Sequence, residues 1–549
     1  MNSEPRSHGL QVELESGDTL KIPLARDSRA LAEVLAAHGL PLNTRCGQRG
    51  LCRGCEVELR SGTAMVEGKP VAAPATIKAC RARLEHAATI FVPARSRIEH
   101  RPQVGETFEI AVPYAHQPLF DFVPGQRDTA FAVDVGTTTV VVLLVDLVTG
   151  EMLSRAGAFN EQIRFGDNVI TRIEAARNPE TLLAMQRAIV METIHPLLIK
   201  ACKQAGRGPE RIAGGAVAGN TTMLHLLIGE DPTTLGIAPF TPRFIQGRQV
   251  SAATIKLEAD GLAPETPIQL LPGIAAYIGA DITAGVFASG MVFDEKPSLL
   301  VDIGTNGEIV LQANGKLFGC ATAAGPAFEG CGLRCGTRAR DGAVSDLNLR
   351  LNPFALETEV IGNVPLARAS GICGSAYVDF LTTARSSGLL SVTGRFEASA
   401  WEKLPEQNRF IHEGRRAFRL ATNNGQNDLR ISEVDVALLL QAKAAIGAGI
   451  EILLATAGIR AADLGRVYLA GGFGMHLNVA HAIAIGLLPG FRVEQVRVVG
   501  NTSLAGALLA LVDRTTLDEM ENLRSQMEVI ELNLAADFED RYIDHLSLP

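Results

Sequence analysis

The segment F-A-V-D-V-G-T-T-T-V at residues 131–140 recurs as L-L-V-D-I-G-T-N-G-E-I-V at 299–310. Self-similarity of this kind constrains a fold more tightly than composition does, because two copies of one supersecondary unit imply two related halves. Each copy is an apolar β run, then Asp, then a Gly-Thr turn, then a second β run. Such a hairpin exposes backbone N–H groups and hydroxyls to a phosphate, while the Asp reaches a metal ion or its water. Each half also carries a second glycine motif behind a strand: Val217-Ala218-Gly219-Asn220-Thr221-Thr222 in the first, and Val467-Tyr468-Leu469-Ala470-Gly471-Gly472-Phe473-Gly474 in the second. A single turn of this sort is a weak signal, since many strand connections contain one. The duplicated order is a strong one.

That order and those residue types resemble the phosphate 1, phosphate 2 and adenosine segments of the ASKHA superfamily, which includes actin, sugar kinases and heat-shock chaperones. The resemblance implies two RNase H-like lobes with ATP and Mg²⁺ in the cleft between them. It assigns Asp134, Gly136, Thr137 and Thr138 to phosphate 1, and Asp302, Gly304, Thr305 and Asn306 to phosphate 2. Gly219, Asn220 and Thr221 form the second nucleotide-facing turn of the first half, and Gly471, Gly472 and Gly474 lie under the adenosine. Asp134 and Asp302 are then expected to orient the metal and its waters. Glu329 and Asp281 are further candidates for activating or orienting the attacking water. Each has a structural alternative: Glu329 sits among glycines and would hold a loop, and Asp281 would N-cap a helix over 282–289. His476 and His481, after the adenosine loop, read as a helix surface, with a nucleotide contact as the alternative.

Near the N-terminus, Cys46, Cys52 and Cys55 form C-x5-C-x2-C, with Cys80 further on. Gly47, Gly50 and Gly54 let the backbone curl around a cluster and aim N–H groups at its sulfurs. Leu10–Leu14 and Thr19–Pro23 read as a hairpin about Ser16-Gly17-Asp18. Asp27 or Ser28 is expected to cap a helix through Ala36, and Glu56–Leu59 returns as a strand. Hairpin, helix, cysteine loop and strand resemble the β-grasp ferredoxins, whose four cysteines hold a [2Fe-2S] cluster. The first gap is one residue longer than the plant-type C-x4-C-x2-C and nearer the adrenodoxin kind, so the spacing leaves the reduction potential open. Zinc is the competing use, but zinc ribbons pair two C-x2-C knuckles and Cys80 stands alone. Cys320, Cys331, Cys335 and Cys373 give only C-x3-C with scattered partners and read as buried thiols.

At 549 residues the chain exceeds what one hydrophobic core organises, and about three or four domains are expected. No charged n-region leads into an apolar h-region, and no run of 18 uninterrupted apolar residues occurs. A soluble, cytoplasmic protein with no membrane partner is the expectation. The longest apolar stretch, Val436–Ile459, is interrupted by Gln441, Lys443 and Glu451 and reads as a buried helix. A net charge of −9, one Trp and five Tyr argue against a nucleic-acid partner. Nine cysteines in a chain of this size do not make a secreted disulfide framework.

A ferredoxin module joined to a duplicated ASKHA ATPase resembles one family end to end, the reductive activators of corrinoid proteins. The further motifs that carry the resemblance are A-G-N-T-T-M-L-H-L-L at 218–227, I-G-A-D-I at 278–282, A-A-G-P-A-F-E-G at 323–330, G-I-C-G-S at 371–375, A-G-G-F-G at 470–474 and G-L-L-P-G at 486–490. The domains implied are a [2Fe-2S] ferredoxin-type domain over 1–92, a linker over 93–128 with five prolines, a middle domain over 129–295 and a C-terminal domain over 296–549. The activity implied is ATP-hydrolysing reduction of a Co(II) corrinoid to Co(I). The partner would be the corrinoid protein of a methyltransferase system or a cobalamin-dependent methionine synthase, with an upstream electron donor. Whether the chain forms a homodimer stays open. So do two other classes: an ASKHA-type phosphotransferase with a regulatory cluster, and an electron-transfer module that binds nucleotide without hydrolysis.

Overall fold

The computed structural model describes residues 9–549 apart from 15–17, 25–28, 41, 43–54, 85, 93–95, 97–107, 109, 111, 113, 167, 305, 331, 338, 340, 341, 413, 423–427 and 472–476. The N-terminal unit is a five-stranded sheet. Strands β1 (Gly9–Leu14) and β2 (Thr19–Pro23) form the expected hairpin, α1 (Leu31–Ala37) follows, and β3 (Glu56–Ser61), β4 (Ala75–Lys78) and β5 (Ala88–Val92) complete the order β2-β1-β5-β3-β4. Strand β1 pairs antiparallel with β2 but parallel with β5. Alternation in β1 buries Leu10 and Val12 in a core that also holds Leu31, Leu35, Cys55 and Cys80. The residue preceding α1 is Ala30, whose amide is met by the Glu33 carboxylate at 3.2 Å. The expected caps, Asp27 and Ser28, lie outside the described residues.

The remainder contains two six-stranded sheets that share a five-stranded topology and differ in where the sixth strand adds. The first lobe comprises β6 (Thr129–Val135), β7 (Thr139–Asp146), β8 (Met152–Phe159), α2 (Pro179–Ile189), α3 (His195–Ala205), β9 (Ile212–Gly219), α4 (Thr221–Ile228), β10 (Arg248–Ser251), β11 (Pro267–Leu270) and α5 (Ala280–Ala288). Its strand order is β8-β7-β6-β9-β11-β10. The second lobe comprises β12 (Ser298–Ile303), β13 (Gly307–Ala313), β14 (Lys316–Thr322), α6 (Gly374–Ser386), α7 (Glu433–Ala457), β15 (Arg466–Ala470), β16 (Val496–Gly500), α8 (Thr502–Val512) and β17 (Met527–Val529). Its order is β16-β15-β12-β13-β14-β17. In both, three antiparallel strands are followed by two that run parallel to the first, the RNase H-like arrangement. Strand β6 is a near-continuous apolar run because both of its faces are covered.

Helices α5 and α8 lie between the two sheets, which explains why α8, T-S-L-A-G-A-L-L-A-L-V, is buried on every side. Although it follows β16 of the second sheet, α8 packs on β6 and β9 of the first. The helices approach so closely that a Cβ on Gly506 would stand 2.5 Å from the Ala284 methyl. One hydrophobic core therefore runs from the first sheet through both helices to Leu300, Val310 and Tyr468 of the second. The described residues before β6 run along this body: Ala115 N donates to Asp513 Oδ2 at 3.1 Å and Arg514 Nη2 to Pro118 O at 2.8 Å. Two helical stretches, Pro179–Ala205 and Glu433–Ala457, are long and apolar enough to cross a bilayer, but the second is 78% buried here, as a core helix is.

A carboxylate cleft and a paired-cysteine site

The two copies of the repeated hairpin open at equivalent places. Asp134 is the penultimate residue of β6 and Asp302 that of β12, so both carboxylates leave the ends of central strands toward the space between the lobes. The turns behind them meet equivalent glycines. A Cβ on Gly219, at the end of β9, would sit 2.7 Å from Val135 O. A Cβ on Gly471, after β15, would collide with Ile303 O and stand 2.9 Å from Asp302 Oδ1. Gly471 has φ +91°, which L side chains rarely adopt. Gly472, Gly474 and Thr305 lie outside the described residues.

On the first-lobe side, Gly136 N donates to Thr139 O at 2.9 Å and closes the phosphate 1 turn. Asn220 caps α4 through Met223 N at 3.0 Å and donates from Nδ2 to Thr137 Oγ1 at 3.0 Å, tying the two predicted phosphate-facing turns together. Thr221 Oγ1 donates to Ala275 O at 2.7 Å. Thr138 offers its carbonyl to Asn160 N at 2.9 Å. On the second-lobe side, Gly304 N donates to Asn306 O at 2.9 Å, and the Glu329 carboxylate lies 3.7 Å from where a Cβ on Gly304 would be.

Asp281 occupies the first turn of α5 rather than its N-cap; that position belongs to Gly279. Asp281 Oδ1 accepts from Ile282 N at 2.9 Å. Gly279 is forced by crowding, because its Cβ would lie 2.5 Å from Asn220 Cα and 2.7 Å from Asp281 Oδ1. Asp281 thereby stands beside the Gly219–Thr221 turn. Burial, then the Asp134 charge, pushes the Asp281 carboxyl up to about 7. Burial, then Asp281, Asp134 and Glu329, pushes Asp302 up to about 8.

Three participants escaped the sequence reading. Asn501 Nδ2 and Ser503 Oγ, at the start of α8, donate to the two Asp134 oxygens at 2.8 and 2.7 Å. They offset part of the burial that raises its pKa. The available signal was the recurrence of Gly219-Asn220-Thr221 as Gly500-Asn501-Thr502. Glu308 faces Asp302 directly across the β12–β13 pair, buried, with its carboxyl held well above the usual range by burial, Asp281 and Asp302.

Asp134, Asp281 and Asp302 are thus brought together, buried and mutually repelling, at the mouth of two glycine turns. Among the described residues no three His, Cys, Asp or Glu groups could hold an ion on their own.

The second site lies in the N-terminal core, where the sulfurs of Cys55 and Cys80 are buried 3.3 Å apart. The hydrogen bond between the two thiols, then burial, holds the Cys55 thiol well above its ordinary range. Cys46 and Cys52 lie outside the described residues. Elsewhere, Cys335 donates to Asp428 O at 3.5 Å, Cys320 packs near Gly449 O at 4.0 Å and Cys373 occupies the N-cap position of α6; Cys331 lies outside the described residues. His481 is paired with the buried Asp379 at 2.6 Å rather than lying on an open helix surface.

Residues 296–549 match the family model described as the C-terminal domain of RACo, the ASKHA domain, and residues 129–294 match the RACo middle region. The corrinoid activation enzyme RamQ of Eubacterium limosum is 30% identical over 554 residues, covering 88% of this chain and 90% of that one. The chain belongs to the family of reductive activators of corrinoid proteins. The solved structure of a reductive activator for corrinoid, iron-sulfur protein superposes with a TM-score of 0.73 at 30% identity, covering 98% of both chains. A [Co(II) methylated amine-specific corrinoid protein] reductase of Methanosarcina barkeri is 26% identical over 441 residues, 76% of each chain. The family model for the ASKHA domain thus covers the second lobe of this chain, and that for the middle region covers the first.

Proposed function

We propose that this chain is an ATP-dependent reductive activator that delivers one low-potential electron to a partner protein's Co(II) corrinoid and so restores Co(I). The observation that carries the reading is the end-to-end likeness to a solved reductive activator, which covers 98% of both chains and so takes in the N-terminal sheet as well as the lobes. Cys46, Cys52, Cys55 and Cys80 would hold a [2Fe-2S] cluster in a ferredoxin-type domain, and the 3.3 Å approach of Cys55 and Cys80 suits two ligands of one cluster. When bound, that cluster supplies a one-electron carrier near roughly −400 mV if it is of the plant type. Co(II)/Co(I) couples are generally more negative, and a gap of about 200 mV corresponds to about 4 to 5 kcal/mol for one electron.

Nucleotide turnover in the cleft is the source of that free energy. Asp134 and Asp302 orient Mg²⁺ and its waters, and the Gly136–Thr138 and Gly304–Asn306 turns receive phosphates. Gly471, Gly472 and Gly474 take the adenosine, and Asp281 and Glu329 stand where a water attacking the terminal phosphate would be oriented. Closure of the lobes on ATP changes the relative affinity for the two cobalt states, within the limit set by that differential affinity. The partner is the corrinoid protein of a methyltransferase system or a cobalamin-dependent methionine synthase, and an upstream donor re-reduces the chain in the cytoplasm.

The test is anaerobic. Cluster-reconstituted protein and a reductant are mixed with a Co(II) corrinoid protein, and Co(I) is followed in the visible spectrum with and without Mg-ATP. Co(I) that requires ATP, and that is lost in both Cys55→Ala and Asp302→Ala, is the expected result. ATP-independent Co(I), or its persistence in Asp302→Ala, would overturn the reading.

A further inference from the structure

We propose that Asn160 is a positioning residue for the phosphate 1 turn. The inference rests on the nucleotide reading of the cleft and names a residue outside the repeated motifs. Asn160 follows β8 and is fully buried. Its backbone N–H donates to Thr138 O at 2.9 Å, while its side-chain Nδ2 donates to Gly136 O at 3.0 Å. One residue thus grips the turn at two of its carbonyl oxygens, Gly136 O and Thr138 O.

The grip belongs to a closed circuit of polar contacts. Asn220 Nδ2 reaches Thr137 Oγ1 at 3.0 Å, Met223 N reaches Asn220 Oδ1 at 3.0 Å, and Met223 Sδ lies 3.8 Å from Asn160 Nδ2. The phosphate 1 turn and the Gly219–Thr221 turn are therefore fixed to each other through Asn160. Behind it, Gln162 Nε2 donates to Met185 O at 2.9 Å, and Arg172 Nη1 donates to Gln162 Oε1 at 3.1 Å. Both contacts that Asn160 makes with the turn are to backbone carbonyl oxygens, so the residue acts through the turn.

Asn160 also serves a purely structural purpose, because its Oδ1 accepts from Gln162 N at 3.0 Å and caps the short helix Glu161–Phe165. The two roles separate chemically. Asn160→Ser keeps an oxygen suited to the cap but is too short to donate to Gly136 O. Asn160→Asp keeps the shape and the cap but sets an acceptor against the Gly136 carbonyl.

Hydrogen exchange of the 136–139 amides and the dissociation constants of Mg-ATP and AMP are measured for the full-length, cluster-loaded wild type and both variants. The expected result is faster exchange confined to the first-lobe turns and an Mg-ATP affinity lowered about tenfold. AMP affinity should stay within about twofold, since AMP lacks the phosphates the turn serves. A loss shared equally by Mg-ATP and AMP, or unchanged exchange and affinity in either folded variant, overturns the positioning role. Failure of the wild type to bind Mg-ATP overturns the nucleotide reading itself, and with it the role given to Asn160.

Discussion

Replacing Asp302 with Asn is expected to stabilise the protein prepared without nucleotide and magnesium while abolishing its ATP turnover. The Asp302 carboxyl sits at about 8 in the fold against 3.8 in an open chain, first through burial and then through Asp281, Asp134 and Glu329. Between those two values the folded chain binds more protons than the unfolded one, so stability falls as pH rises through the window and the full penalty is present above about 8. Each pH unit of such a window is worth about 1.4 kcal/mol, which puts a ceiling of about 5 kcal/mol on the penalty near pH 7.5. Asn removes the charge but keeps a buried polar group, and Asp281 shares the same repulsion, so a net gain of about 2 kcal/mol is expected. Urea midpoints near pH 7.5 and near pH 5 read it: the gain should be smaller at the second by up to about 3 kcal/mol, because only the part of the window between 3.8 and 5 then remains. The same variant should lose at least about 100-fold in ATP hydrolysis, as removal of a group aimed at transition-state charge does. A variant less stable than the parent near pH 7.5, or equally stabilised at both pH values, would refute the account of a like-charge cluster awaiting a cation.

Three further outcomes follow from the packing. Ser503→Ala removes the 2.7 Å hydrogen bond to Asp134 Oδ1 and leaves that of Asn501; turnover should fall about tenfold with little change in melting temperature, and unchanged turnover would deny Asp134 its need for orientation. Gly506→Ala drives a methyl to within 2.5 Å of Ala284 and should cost about 1–3 kcal/mol in urea unfolding, whereas a neutral effect would mean that α5 and α8 can part freely. Lys443 is buried inside α7, donates to Ser547 O at 2.8 Å and is pushed down to about 8 from 10.5 by burial. Between those values the unfolded chain binds the extra proton, so stability should rise with pH from about 8 to about 10.5, a slope that Lys443→Met should remove.

Much of this architecture was legible because the repeated hairpin reports its own geometry. An Asp before a Gly-Thr turn must emerge where two strands end, and Asp134 and Asp302 do so. The contributions of Asn501 and Ser503 were hidden by a topological crossing: they follow a second-lobe strand, yet α8 packs on the first sheet and brings them to a first-lobe carboxylate. Sequence proximity points the wrong way there, and only the echo of Gly-Asn-Thr hints at it. Glu308 was hidden differently. Its partner Asp302 is fixed by hairpin register, which depends on how the Gly304 turn closes and not on residue type. The N-cap alternative for Asp281 arose because an acidic residue near a helix start often serves that end, but Gly279 takes the cap where Asn220 leaves no room for a side chain.

The crowding at Gly279 also explains how so many carboxylates are tolerated together. Helices α4, α5 and α8 begin at Asn220, Gly279 and Asn501, each directly behind the carboxyl end of its lobe's fourth or fifth strand or the loop that follows it. Their N-termini therefore open toward the region that holds Asp134, Asp281 and Asp302. Each contributes the partial positive charge of a helix N-terminus, worth about 0.3–1 kcal/mol to a nearby anion. That offset is smaller than the repulsion that raises Asp302 to about 8. In the proposed nucleotide site, the balance left over would favour a cation with its phosphates, and the repulsion among Asp134, Asp281 and Asp302 would be relieved by it.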